Sequence, residues 1–174
     1  MTDREAIELS AYYRGKVLHI ISDLEFIINT CISFHYCGKK NHDKAFEMQL
    51  AILGDDRISL NNKAQILHFI LTKYHSDWLK TYVSLRPKEP KKQPYTLNSD
   101  LVWVIEQRNV FAHRILDRDM FFSKEKTLKE GVIRFARFKN EITPVEYGTE
   151  EFDLLYETIG NLSVKLNEIV KLNQ

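Results

Sequence analysis

A chain of 174 residues with 44% hydrophobic and 11% aromatic content can bury one sizeable core, which argues for a single domain over 1–174 and against disorder. Lys and Arg number 25 against 24 Asp and Glu, a formal net charge of +1, so nucleic-acid binding requires a local patch rather than a basic whole. No apolar segment of a signal peptide follows Met1-Thr2-Asp3-Arg4-Glu5, no apolar run nears the ~18 residues of a membrane span, and two cysteines are too few to staple a secreted fold. A soluble cytoplasmic protein with reduced thiols is expected.

From Thr2 to about Cys37 the apolar positions Val17, Ile20, Ile21, Leu24, Ile27, Ile28, Cys31 and Phe34 recur at helical spacing, and Gly38 supplies the stop. A shorter helix is predicted from about His42 to Leu53, with Ala45, Phe46, Gln49, Leu50 and Leu53 on one side and Gly54 ending it. Asp55-Asp56 reads as a turn. The third helix starts near Ser59 or Asn61, turns Leu60, Ala64, Leu67, Leu71, Tyr74 and Trp78 inward, and fades near Leu85.

Residues 86–94 read RPKEPKKQP, a stretch whose three prolines exclude helix interior and central strand. This is the one clear linker. Its Lys88, Lys91 and Lys92 suit either a solvated loop or a weak contact to an RNA backbone, as does Arg114 further on. A fourth helix, capped by Asn98 or Ser99, extends to about Leu116. Beyond Asp117 the period changes: residues 132–138 alternate as a strand, Lys139-Asn140-Glu141 turns, and Ile142 to Tyr147 returns as an edge strand because of Pro144. Gly148-Thr149 opens a last helix with Phe152, Leu155, Ile159, Leu162, Leu166 and Ile169 as its seam. The predicted fold is mainly α, an up-down bundle of about five helices with a β-hairpin inserted before the last.

The fourth helix holds the chemistry. Leu101, Val104, Ile105, Phe111, Ala112 and Ile115 form an apolar stripe, and at about 100° per residue Arg108 leaves the backbone near its centre. A guanidinium cannot discharge to escape burial, so it requires an acceptor, an anionic ligand, a partner chain or a route to water. Asn109 and His113 share a flank about 100–140° around from it. A permanent cation, an amide and an imidazole that titrates near neutrality are the parts of a phosphate-handling site. The alternatives are a salt bridge from Arg108 to Glu25 or another inward acid, and an ordinary helix-end histidine.

Spacing alone carries little, since Arg14 and His19 repeat the Arg-x4-His interval in the polar opening of the first helix. Cys31, His35, Cys37 and His42 invite a zinc reading, but on a continuous helix the first three do not converge on one tetrahedral point, and no metal or other cofactor is expected. No Walker or Rossmann glycine loop, His-Glu-x-x-His helix or Gly-x-Ser-x-Gly elbow occurs.

Arg108-Asn109-Val110-Phe111-Ala112-His113 resembles the motif of the HEPN superfamily (higher eukaryote and prokaryote nucleotide-binding helical bundles), whose ribonuclease members carry Arg, a polar residue, three further positions and His late in a helical domain. The resemblance rests on about six residues and on the order of elements. It implies a homodimer with two motif helices facing across a cleft, and a metal-independent endoribonuclease with Arg108 and His113 catalytic and Asn109 orienting. It also implies possible roles in toxin–antitoxin or phage-defence systems, with RNA and an antitoxin as partners, or a non-catalytic RNA- or nucleotide-binding or dimerisation module.

Overall fold

The computed structural model describes residues 1–38, 40–88, 90, 93–116, 130–139 and 141–172, and the side chains of 3, 137–139 and 141–143 are outside this description. The chain is mainly helical. In order come α1 (Asp3–Cys37), α2 (His42–Met48), a π-helical turn (Gln49–Leu53), α3 (Leu60–Tyr74), the single turn α4 (Ser76–Leu79) and α5 (Leu97–His113), then the antiparallel hairpin of β1 (Ile133–Lys139) and β2 (Glu141–Tyr147), and α6 (Thr149–Leu172).

The longest helix is the axis of the fold. A Thr2–Glu5 capping box starts α1, and its buried Val17, Ile21, Leu24, Ile28, Cys31 and Ile32 pack on α6, α3 and α5. On α6 the seam is Phe152, Leu155, Ile159, Leu162, Leu166 and Ile169, all buried as its periodicity predicts. The expectation that no apolar stretch nears a membrane span needs correcting. Helix α1 is long and apolar enough over Arg4–Cys37 to cross a bilayer by length and composition, although much of that apolarity faces the core.

Several boundaries differ from the sequence reading. Ser59 caps α3 through Asn62 N–H, but the helix stops at Tyr74 rather than near Leu85, and Tyr74 is exposed. Phe46 and Leu50 also face outward; α2 passes into a π turn after Met48, and only Ala45 and Leu53 are buried on this pair of elements. Gly54 ends that turn under a steric constraint, since a Cβ there would lie 2.8 Å from the Leu50 carbonyl oxygen. The cap of α5 is Thr96 instead of Asn98 or Ser99; Ser99 instead closes the box by bonding back to Thr96 N–H. Its end comes at His113, so Ile115 is outside the helix and exposed.

The hairpin is joined to the bundle by aromatic side chains. Register pairs Ile133 with Tyr147, Phe135 with Val145 and Ala136 with Pro144. Asn140, at the predicted turn, is outside the described residues. On the other side of β1, Leu116 bridges Phe135 and Ala136 N–H donates to the Ile115 carbonyl, so the segment leaving α5 lies alongside the strand. Phe111 packs against Phe135, Tyr147 and Phe152, with ring centroids 4.7–5.6 Å apart. Phe111→Ala should therefore cost about 3–5 kcal/mol in urea denaturation, a loss of hairpin docking as well as of core volume.

Candidate functional site

Helix α5 presents its polar residues on separate faces. Arg108 is half-buried and borders a cleft of about 410 Å³ with Glu25 and Asn29 of α1, Asp55 and Asp56 after the π turn, and Lys63 of α3. Among the described residues the guanidinium has no ion-pair or hydrogen-bond partner. The salt bridge considered for it has gone elsewhere. Glu25 pairs with Lys63, which is only 4% exposed. Asp55 is held by Arg57, whose Nη2 is 2.6 Å from Oδ2, and that pairing keeps the Asp55 carboxyl below its ordinary range.

Asn109 and His113 face away from this cleft. Asn109 is exposed and borders a smaller hollow of about 190 Å³ with Gln107, Arg114, Val145 and Tyr147. His113 is the last residue of α5, exposed, with no hydrogen-bond partner among the described residues. Among the described residues, neither of these two cavities is bordered by all three motif residues. Arg108 belongs to one side of α5 and the Asn109–His113 flank to another.

Arg14, half of the matching Arg-x4-His interval, is not in a solvated opening. Its Nη2 donates to the Arg114 carbonyl at 2.5 Å and its guanidinium carbon is 4.9 Å from the Phe135 ring centroid. A cation on a carbonyl at the end of a helix is favourably placed, and here it fixes α1 against the end of the motif helix. His19 is exposed and 3.8 Å from Asp23.

The proline-rich segment docks at its first residue. Asp100, 0% exposed, accepts from the Tyr82 hydroxyl at 2.6 Å and from Arg86 Nη1 at 3.3 Å. The Arg86 guanidinium carbon is 4.0 Å from the Tyr95 centroid and 4.5 Å from that of Trp103, a cation held between two rings. Burial, and then the bond to Asp100, push the Tyr82 hydroxyl far above its ordinary range. Sequence reasoning missed this cluster because Arg86 read as one charge of a solvated run; the signal was an acid at the first turn of a helix between two aromatic stretches. Of the weak RNA-contact candidates, Lys88 is exposed, Arg114 is half-buried, and Lys91 and Lys92 are outside the described residues.

The cysteine–histidine group points four ways. Cys31 Sγ donates to the Leu166 carbonyl at 3.5 Å, Cys37 Sγ is 3.7 Å from Met48 Sδ, His35 packs on Tyr74, and His42 meets Phe34. Among the described residues no three His, Cys, Asp or Glu side chains are grouped to hold a metal. No family model matches the chain, and no curated protein or solved structure is significantly similar to it.

Two outcomes follow from these environments. Asp100→Ala strips the acceptor from two half-buried partners and should cost about 3–5 kcal/mol by chemical denaturation, with red-shifted tryptophan emission reporting the loss of Arg86 from the Trp103 ring. Burial pushes the Cys31 thiol up to about 12, so at pH 8 a thiol reagent should label Cys37 in the native protein and Cys31 only after unfolding. The same shift means that the folded chain retains a proton the unfolded chain releases, so stability falls as pH rises from the ordinary thiol value of 9.0 toward about 12.

Proposed function

We propose that the protein is a metal-independent endoribonuclease of the HEPN type, an up-down bundle of about five helices acting in the cytoplasm as a homodimer. The observation that carries this reading is Arg108, a half-buried guanidinium with no acceptor among the described residues, on the helix that ends at the exposed His113. A cation left without a protein partner is suited to an anionic ligand, and an exposed imidazole is suited to proton transfer.

RNA supplies its own nucleophile. In the proposed reaction the 2′-hydroxyl oxygen attacks the adjacent phosphorus as His113 accepts its proton, and the bond from phosphorus to the 5′-oxygen breaks as water donates a proton to that leaving oxygen. The products are a 2′,3′-cyclic phosphate and a 5′-hydroxyl. Arg108 neutralises the non-bridging oxygens as charge builds on them, and Asn109 orients the phosphate. Because Arg108 and His113 leave α5 about 140° apart, the proposal assigns the two roles at each phosphate to facing α5 helices of two copies. A small toxin or phage-defence component, held in check by an antitoxin protein, fits such an activity.

A second reading is favoured by the separation itself. With Arg108 in an acid-lined cleft and His113 apart from it, the chain is instead a non-catalytic RNA- or nucleotide-binding or dimerisation module.

Incubation of the purified protein with mixed RNA in EDTA distinguishes them. The nuclease reading expects cleavage to cyclic-phosphate ends, reduced about 10²–10⁴-fold in His113→Ala and comparably in Arg108→Ala, with unchanged melting temperatures. Cleavage that requires an added metal, or that survives both substitutions, counts against the mechanism; RNA retention without cleavage favours the module.

A further inference from the structure

The cleft beside Arg108 has a charge pattern that a phosphate alone does not match. Arg108 and Lys63 bring two cations to it, Glu25, Asp55 and Asp56 bring three carboxylates, and Arg57 on Asp55 balances the third. The surroundings are neutral overall and sharply divided in sign. A bare anion drawn to Arg108 meets nearby carboxylates, so the favoured occupant is uncharged and offers acceptors on one edge and donors on another. The volume of about 410 Å³ is in the range of small-ligand pockets.

We propose that this cleft receives one unpaired guanine base of an RNA strand. Guanine carries adjacent acceptors, O6 and N7, which match the fork of a guanidinium, and adjacent donors, N1–H and the N2 amino group, which match a carboxylate. Arg108 reads the acceptor edge and Asp56 the donor edge. Asp56 is exposed and, among the described residues, makes no hydrogen bond or ion pair, so it is available in a way that Asp55 and Glu25 are not. Adenine offers one donor group in place of the two, and each pyrimidine lacks the N7–O6 pair. Five guanidinium donors exceed what a base edge accepts, leaving others for the phosphate at the mouth of the cleft. The π turn contributes the loop that carries Asp55 and Asp56, in keeping with the recurrence of such turns at functional sites.

This assignment rests on the RNA-binding part of the function proposed above and is shared by its nuclease and module forms. The test uses His113→Ala protein, which leaves the cleft intact, titrated with guanosine, adenosine, cytidine, uridine and inorganic phosphate while the Arg108 Nε–H resonance and saturation transfer to the nucleoside are followed by NMR. Guanosine should shift that resonance and bind about tenfold or more tighter than the other nucleosides. Asp56→Asn should abolish the preference, and Arg108→Ala the binding, with melting temperatures unchanged. Phosphate binding as tightly as guanosine, equal binding of the four nucleosides, or no nucleoside binding overturns the assignment. Wild-type protein that binds guanosine but cuts no RNA removes the nuclease and leaves the base site standing; cleavage without preference for unpaired guanine does the reverse.

Discussion

Everything in this fold depends on covering the inner face of α1. At 1.5 Å per residue its 35 residues extend about 50 Å, too far for one neighbour, and the apolar positions from Val17 to Ile32 require α3, α5 and α6 together. Hydrophobic burial has no direction of its own, so polar pairs set the angles at which those helices arrive. Lys63 on Glu25 fixes α3 to α1. Arg14 on the Arg114 carbonyl fixes the end of α5 to α1, and Asn161 on the Val83 carbonyl joins the chain after α4 to α6. Each removes one rotational choice from a bundle that would pack acceptably in several.

The same economy explains where charge is left over. Most inward charges have been matched: Arg86 with Asp100, Lys63 with Glu25, Arg134 with Glu146 across the hairpin. Against that background Arg108 on α5 stands out as a half-buried guanidinium with no acceptor among the described residues. Its neighbours could have supplied a carboxylate, since Glu25 borders the same cleft, yet that acid is committed to Lys63.

Periodicity made the long elements legible. The seams of α1 and α6 and the change to a period of two before the hairpin could be read from spacing because one face of each element is buried over many residues. Short elements were less legible. The outward Leu50 falls in a π turn, which no helical wheel of 3.6 residues anticipates, and the early stop of α3 at Tyr74 leaves a single turn where the apolar pattern runs on. At the site, the sequence isolated Arg108 as misplaced because polarity broke an apolar stripe. The acids opposite it come from a loop about 50 positions away, and local pattern carries no information about such a meeting. Lys63 and Arg86 were missed for a related reason: a single charged letter looks the same whether its head is in water or against a distant carboxylate.

The hairpin has a consequence for how copies of the chain can meet. On one side of β1 is the strand-like segment through Leu116, and β2 on the other carries Pro144, which has no N–H to offer a further strand. The β2 edge is thereby blunted against edge-to-edge addition. Such an edge is a poor template for the open-ended ladders that lead to fibres.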